Sequence, residues 1–306
     1  MTTGTGGSTR GGGLPEVSAT EVPLPECRSS SCVPLIHLSD PDRTLSMADY
    51  LLIQISDVHL TSDGLLYPHV HPRENLVGSL RLIAEAELRP DLLILTGDLA
   101  NSGESECYRD MSELMSEAVG TLGGRVVYLP GNHDERSAFR RNLLDQKASS
   151  SSSPINQIHW IDGLRVVSLD SVVVGEDFGQ LDDETLAFLG DAIATPAPDG
   201  TVLALHHPPI PSPVQPMARI MLRHPERLEE VIDGSDVRLI LCGHNHHGML
   251  GTLASVPVWV SPATAYEMDV LSREAIRGLP GCSISQIILN GDEVTVSTIP
   301  VPLAAP

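Results

Sequence analysis

Short apolar runs alternate with longer amphipathic stretches along most of the chain. The runs are five or six residues long and rich in Val, Ile and Leu, which is typical of buried β-strands. Between the runs, apolar residues recur with helical spacing, and Leu76, Leu80 and Ile83 share one face of a predicted helix. The predicted strands cover 51–55, 91–95, 125–129, 164–169, 201–205 and 237–241, and the predicted helices cover 73–89, 104–119 and 182–192. This alternation predicts an α/β domain.

The C-terminal part of the chain follows a different pattern. Apolar runs at 256–260, 283–289 and 293–299 follow one another, with no helical pattern between the last two. The tripeptide Asn290-Gly291-Asp292 separates these two runs and predicts a β-hairpin. Residues 49–306 contain no internal repeat and no linker-like segment, so we predict a single domain over this range.

The N-terminal part has neither helical nor strand periodicity. Residues 1–48 are rich in Gly, Ser, Thr and Pro, a composition that predicts a disordered extension. Met47 stands just before the first predicted strand, which suggests the hypothesis that translation starts there. An intact mass of the native protein that includes residues 1–46 would contradict this hypothesis.

Composition and charge limit the partners. The formal charge of -21 disfavours a nucleic-acid duplex or an anionic membrane, because either would be repelled. The five cysteines, at positions 27, 32, 107, 242 and 282, form no CxxC pair and are expected to be reduced thiols. Because the sequence contains neither an apolar stretch of about 20 residues nor a secretory signal pattern, we expect a cytoplasmic protein.

Five clusters of polar residues hold the candidate chemistry, and most of them directly follow a predicted strand. Since strand ends of an α/β sheet converge on one edge, residues far apart in sequence can meet there. Each cluster alone fits an ordinary turn, but their joint occurrence indicates a metal centre. The clusters are Asp57-Val58-His59, Gly97-Asp98, Gly131-Asn132-His133-Asp134, His206-His207 and Gly243-His244-Asn245-His246.

The residue types and spacings point to two metal ions. Asp57 and His59 are two residues apart, so in an extended strand both would point the same way, and the same spacing recurs in His244 and His246. A carboxylate such as Asp98 has two oxygens and can bridge two cations. His206 and His207 are adjacent and should point in opposite directions, so we expect only one of them to be a ligand. Mixed nitrogen and oxygen donors favour Fe, Mn, Zn or Co over Ca or Mg.

The ordered motifs D-x-H, G-D, G-N-H-D, H-H-P-P and G-H-x-H resemble those of the calcineurin-like metallophosphoesterase superfamily. Within it, ISDVHL, LTGDLANSG, LPGNHDER, LHHPPIP and LCGHNHH resemble the motifs of bacterial class III cyclic nucleotide phosphodiesterases. The resemblance covers about residues 50 to 300 and implies a metallophosphoesterase catalytic domain over 49–306. The implied fold is a four-layer αββα sandwich, in which two mixed β-sheets are flanked by helices.

The resemblance also assigns the residues. It implies one metal ion bound by Asp57, His59, Asp98 and His246, and a second bound by Asp98, Asn132, His206 and His244, with Fe and Mn favoured. His133 would be the catalytic residue near the leaving oxygen, and Asn132, His133 and Asn101 would contact the substrate. Many relatives carry Asp at the position of Asn101, and homodimers are common among them.

The function implied is hydrolysis of 3′,5′-cyclic nucleotides, cyclic AMP above all, to 5′-monophosphates by metal-activated hydroxide. The same metals could instead serve another phosphodiester, such as a phospholipid headgroup diester, or a phosphomonoester, because the loops choose the leaving group. A third alternative is a non-catalytic scaffold that keeps the fold. That alternative predicts gaps among the ligands, and this chain has none.

Overall fold

The computed structural model describes residues 50–146 and 153–303, together with Met1. The predicted N-terminal extension and the proposed start at Met47 lie outside these residues. The helices are α1 (Pro72–Glu85), α2 (Ser105–Leu122), α3 (Arg136–Leu143), α4 (Asp183–Ile193) and α5 (Pro225–Ile232). The strands are β1 (Tyr50–Ile55), β2 (Leu92–Thr96), β3 (Arg125–Leu129), β4 (Gln157–Ile161), β5 (Leu164–Leu169), β6 (Gly179–Gln180), β7 (Thr201–Leu205), β8 (Leu222–Arg223), β9 (Val237–Cys242), β10 (Met249–Leu253), β11 (Val256–Val260), β12 (Glu267–Met268), β13 (Gly278–Leu279), β14 (Ser283–Asn290) and β15 (Glu293–Pro300).

Eleven of these strands form two mixed sheets. The first sheet has the order β15-β14-β1-β2-β3, in which β1, β2 and β3 are parallel and the β14–β15 hairpin is antiparallel. The second has the order β10-β11-β9-β7-β5-β4, with β5, β7, β9 and β11 parallel and both edge strands antiparallel. The predicted hairpin at Asn290-Gly291-Asp292 is therefore confirmed.

Alternating side chains of the apolar strands pack into two different layers. In β2, Leu93 and Leu95 pack with residues of α1, α2 and α3, whereas Leu92 and Ile94 pack with residues of the second sheet. The outer face of the second sheet packs against α4 and α5 through a separate cluster. Helices therefore cover the outer faces of two sheets that stack on each other, and the predicted four-layer αββα sandwich is confirmed.

Several elements differ from the sequence prediction. Helix α1 ends at Glu85, short of the predicted position 89, and α2 continues to Leu122. The prediction missed α3 and α5, which are eight residues each, and the edge strands β4 and β10. Among the described residues, no helix is both long and apolar enough to cross a membrane. Cys107, Cys242 and Cys282 are buried free thiols, and Cys27 and Cys32 lie outside the described residues.

Candidate dinuclear metal centre

The carboxyl ends of strands from both sheets meet at one place. The Nδ1–H of His206, which follows β7, donates to the carbonyl oxygen of Thr96 at the end of β2 (2.8 Å). Gln54 of β1 donates through Nε2 to the carbonyl oxygen of Cys242 at the end of β9 (2.8 Å). These buried bonds hold the strand ends of one sheet against those of the other, as the convergence of the five clusters predicted.

Four buried side chains form the first candidate metal site, which we define as Asp57, His59, Asp98 and His246. Their ligand atoms lie within 4.8 Å of one another. The two Nε2 atoms of His59 and His246 are 3.2 Å apart, and Asp57 Oδ1 is 3.4 Å from His246 Nε2. Metal–ligand bonds of about 2.0–2.2 Å place neighbouring ligand atoms about 3.0–3.6 Å apart, so these separations fit one ion.

The hydrogen bonds around the two histidines support a cation between them. His59 donates through Nδ1 to the side-chain oxygen of Asn101 (3.2 Å), and His246 donates through Nδ1 to the carbonyl oxygen of Tyr266 (3.0 Å). Both Nε2 atoms therefore present lone pairs to each other, an arrangement that is repulsive unless a cation lies between them. Burial lowers the pKa of His59 well below its usual value, which keeps the ring neutral as a metal ligand requires.

The second candidate metal site, as the sequence predicts it, comprises Asp98, Asn132, His206 and His244. Asn132 Oδ1 lies 3.2 Å from His206 Nε2 and 3.0 Å from His244 Nδ1. Asp98 Oδ2 lies 3.4 Å from His206 Nε2 and 3.6 Å from His59 Nε2, so one carboxylate oxygen stands between the two sites. Bridging of two metal ions by Asp98, which the resemblance implies, stays a prediction.

The surroundings of His206 in the second site favour its protonated form. Burial lowers the pKa of His206, but the carboxylate of Asp98 outweighs this effect, and Asp57 and the Thr96 carbonyl add to it, so the pKa rises to about 9. Burial and the neighbouring charge of His206 lower the pKa of His244 to about 3. The second site therefore holds one charged and one neutral imidazole at neutral pH, and an incoming metal ion must displace the proton of His206.

The backbone of the ligands corrects one step of the sequence prediction. Asp57 and His59 were expected to face one ion because they are two apart in an extended strand. They do share the first site, but their φ angles are 52° and 50°, in the left-handed region. His244 and His246, at 71° and 53°, are also left-handed, and each turns to a different site. Tight turns beyond the strands, rather than extended strand geometry, therefore direct these side chains.

Glycines at the strand ends make room for the ligands. A Cβ atom on Gly97, whose φ is 90°, would lie 2.3 Å from Nδ1 of His206. A Cβ atom on Gly131 would lie 2.2 Å from Oδ1 of Asp98. The glycine that precedes the ligand in these motifs is thus required by close approach between chain segments.

Two of the residues predicted to contact the substrate, His133 and Asn101, lie beside the first site. The exposed ring of His133 stands edge-on to that of His59, with centroids 4.8 Å apart, and its backbone N–H donates to Asp98 Oδ1 (2.9 Å). His133 donates through Nδ1 to the carbonyl oxygen of Asn101 (2.7 Å), which leaves Nε2 facing outward. Asn101 thus orients both histidines, and its contact with a substrate stays a prediction.

His207 lies close to the second site, within 4.8 Å of ligand atoms of His206 and His244. Its Nδ1 accepts from the hydroxyl of Ser171 (2.8 Å), and its Nε2–H donates to the carbonyl oxygen of Asp177 (3.2 Å). Because both nitrogens have partners, His207 serves as a buried structural residue. The prediction that only one of the two adjacent histidines is a metal ligand stays a prediction.

Sequence reasoning missed the contribution of Tyr266. Its carbonyl oxygen fixes the tautomer of His246, and its ring packs against that of His246 at a tilt of 41°, with centroids 4.3 Å apart. It follows β11 by six residues and belongs to none of the recognised motifs, so only the three-dimensional structure reveals it.

Comparison with known proteins agrees with this geometry. The profile of the calcineurin-like phosphoesterase family matches residues 50–248. The chain is 39% identical over 261 residues, or 84% of either chain, to a "Probable cyclic nucleotide phosphodiesterase" of Rhodococcus erythropolis. It is also 39% identical over 258 residues to a "cAMP/cGMP dual specificity phosphodiesterase" of Mycobacterium tuberculosis, covering 83% of this chain and 80% of that protein.

A solved structure shares the fold. The crystal structure of a "dimetal phosphatase from Danio rerio" superposes with a TM-score of 0.61 at 13% identity, covering 84% of this chain and 100% of that one. At that identity the likeness speaks for the fold alone. Together, the family profile, the two relatives and the complete set of motif residues show that this chain belongs to the calcineurin-like phosphoesterase family.

Proposed function

We propose that this protein is a dinuclear-metal phosphodiesterase that hydrolyses 3′,5′-cyclic nucleotides, with cyclic AMP as the first candidate, to 5′-monophosphates. The observation that carries the proposal is the pair of four-residue ligand sets that share Asp98. Support for the substrate comes from the two relatives described above, which are named for cyclic nucleotide hydrolysis. A non-catalytic scaffold would not need to retain every ligand.

The donor set supports two transition-metal ions. The first site offers two imidazole nitrogens and two carboxylates, and the second replaces one carboxylate by the amide oxygen of Asn132. Such mixed donors suit Fe, Mn, Zn or Co, and we favour Fe and Mn. When bound, two such ions lower the pKa of a water molecule and neutralise the phosphoryl oxygens of the substrate.

The protein residues then place the substrate and move one proton. A water oxygen forms the new bond to phosphorus, in line with the bond to the 3′ oxygen that breaks. His133, held through Nδ1 by the Asn101 carbonyl, presents Nε2 to the bound diester. A proton carried on Nε2 would pass to the departing 3′ oxygen, and the proton that the attacking water loses would restore it. The ring opens to a 5′-monophosphate with a free 3′ hydroxyl. No protein nucleophile is required in this scheme.

Turnover of cyclic AMP by the Mn²⁺-loaded protein tests the proposal. We expect Asn132→Ala to lower kcat for conversion of cyclic AMP to 5′-AMP by at least ~10²-fold, because it removes an oxygen that both His206 and His244 face. Asn142→Ala is the matched control, since within the described part of the chain the Asn142 side chain bonds only inside α3, to the Ala138 carbonyl oxygen (2.7 Å). Unchanged turnover in a folded Asn132→Ala protein would refute the site assignment.

A substrate panel at the same Mn²⁺ concentration tests the substrate class. It would compare cyclic AMP with a glycerol phosphodiester, a phosphomonoester and a generic aryl diester. Cyclic AMP turnover no faster than that of the aryl diester would count against a cyclic nucleotide as the substrate.

The cytoplasmic location and the homodimer stay predictions from the sequence. A sedimentation measurement on the full chain would test the homodimer.

A further inference from the structure

A large cleft shares a wall with the first metal site. Its volume is about 790 Å³, and its lining includes Tyr67, Val70, Tyr266, Ile276 and Leu279. Tyr266 forms the shared wall, since it lines the cleft and its ring packs against that of His246 and lies 6.0 Å, between centroids, from that of His59. The size falls within the range of about 300–1,000 Å³ that is typical of small-molecule sites. A substrate whose phosphate lies on the metals can therefore extend past Tyr266 into this cleft.

The chemistry of the lining favours an uncharged, flat group. Apart from tyrosines, the only ionisable side chains among the described residues that line the cleft are His69 and His71. The rings of Tyr67 and Tyr266 are nearly perpendicular, at 75°, with centroids 5.7 Å apart. Two such rings, with Ile276 and Leu279 beside them, offer both edge and face contacts to an aromatic group.

Tyr67 is held at this cleft by a strained and closed loop. Its φ is 55°, a left-handed conformation that is an outlier for a bulky residue, and the residue is 63% exposed. Leu66 and Val70 exchange two backbone hydrogen bonds, at 2.9 Å and 3.2 Å, and so close the loop around it. Because burial does not explain this conformation, the strain points to a function for the exposed ring.

The opposite side of the cleft is also fixed. The β12–β13 hairpin carries Ile276 and Leu279, and the backbone N–H of Asp269 donates to the Arg277 carbonyl oxygen (2.8 Å). The side chains of Asp269 and Arg277 form an ion pair across the same hairpin. The apolar side chains therefore belong to a formed structure, which is a preorganised wall for a ligand.

We infer that this cleft binds the aromatic group of the phosphodiester, a nucleobase or an aryl group, and that Tyr67 determines specificity for it. This inference rests on the proposed function, because the phosphate of the same substrate must lie on the metals. Stacking of a base on an aromatic side chain supplies binding energy without sequence or substituent preference. The subsite thus favours cyclic nucleotides and aryl diesters over diesters of glycerol.

Steady-state kinetics of the Mn²⁺-loaded protein test the subsite. We expect Tyr67→Ala to lower kcat/KM for cyclic AMP and for bis(4-nitrophenyl) phosphate by about 10-fold, through KM, since Tyr67 is remote from the reacting atoms. Glycerophosphoglycerol has no ring, so Tyr67→Ala should hydrolyse it with the same kcat/KM as the wild type. Tyr67→Phe keeps the ring and should retain activity. Leu271→Ala is the matched control, because Leu271 is 83% exposed near the cleft but is not among the residues that line it.

Product binding separates this inference from the proposed function. In calorimetric titrations, AMP should bind the wild type about 10-fold more tightly than ribose 5-phosphate, and Tyr67→Ala should abolish that difference. Loss of the difference without any hydrolysis of cyclic AMP by the wild type would refute the proposed function and support the subsite. An equal loss of kcat/KM on all three substrates, or no loss on any, would overturn the subsite. An equal loss that accompanies dissociation of a dimer would instead identify the cleft as an interface between copies of the chain.

Discussion

Several residues of the candidate metal centre have strained backbone conformations, which fix the directions of their side chains. Asp57, His59, Asp98, His244 and His246 all have positive φ angles. Such conformations cost roughly 1–3 kcal/mol each in a non-glycine residue, so neighbouring contacts must hold them. The backbone N–H of His59 donates to the Asp98 carbonyl oxygen (2.8 Å), and the backbone N–H of His244 donates to the Asp57 carboxylate (3.0 Å). The ligands therefore orient one another before a metal ion arrives.

The charge of His206 predicts a pH dependence of metal binding. Its pKa is raised to about 9, whereas an exposed histidine titrates near ~6.5. Since a metal ion must replace the proton, we expect Mn²⁺ affinity to rise between pH 6.5 and 9. In metal-free protein the charged ring stabilises the fold fully below about pH 6.5. That stabilisation, up to about 3 kcal/mol, is lost as the pH rises through the folded-state pKa.

Calorimetry tests the predicted rise in Mn²⁺ affinity with pH, and unfolding measurements test the predicted loss of stability with pH. Mn²⁺ titrations at pH 7.5 in buffers of different ionisation enthalpy count the released protons, and the wild type should release about one more than His206→Asn. Urea unfolding in a chelator should give a smaller free energy of unfolding at pH 9 than at pH 6.5. Equal proton release by the two proteins would show that His206 is neutral in the metal-free state.

At the scale of elements, the strands were more predictable than the helices. The six apolar runs of the α/β part all form strands because both faces of each sheet are covered, which makes their sequences continuously apolar. The sequence prediction missed β4 because this edge strand has half-exposed residues, among them Ile158 and Trp160, and therefore lacks a continuous apolar run. Helix α3 begins directly after the Gly-Asn-His-Asp motif, with Glu135 as its N-cap. The prediction assigned these residues to the motif alone and therefore missed the start of the helix.

The turn after β2 has no room for a methyl group at Gly97. We expect Gly97→Ala to weaken the second metal site strongly, because its Cβ would lie 2.3 Å from His206 Nδ1 and 2.9 Å from the Gly131 nitrogen. The positive φ of Gly97 adds strain for any other residue. Metal analysis after dialysis should find less than two ions per chain, with kcat reduced at least ~10²-fold.

A glycine in a helix provides the comparison for this substitution. Gly190 lies within α4, and a Cβ atom there would have no neighbour within 4 Å among the described residues beyond the adjacent turns of its own helix. Gly190→Ala should therefore keep both metal ions and raise the free energy of unfolding by up to about 1 kcal/mol. If Gly97→Ala also retained two ions and full activity, the close approach of β2 and His206 would not matter to the site.

At the scale of the whole domain, the metal centre joins the two sheets. Asp57, Asp98 and Asn132 follow strands of the first sheet, and His206 and His244 follow strands of the second. The sequence predicted this convergence because strand ends of parallel strands meet at one edge. It could not predict Tyr266 or the Thr96 carbonyl, since the contacts that they make with ligand histidines depend on tertiary packing and leave no motif in the sequence.

A metal centre that spans two sheets should contribute to global stability. Any ligand that binds only the folded state stabilises it by about 2.7 kcal/mol at a free concentration of 100 times its Kd. We therefore expect removal of Mn²⁺ with a chelator to lower the Tm of the wild type by several degrees. The same chelator should leave the Tm of Asp98→Ala nearly unchanged, because that variant lacks the carboxylate shared by both sites. Because the ligands link both sheets, the sheets should also unfold in one transition with metal bound, and separate transitions for them would contradict this coupling.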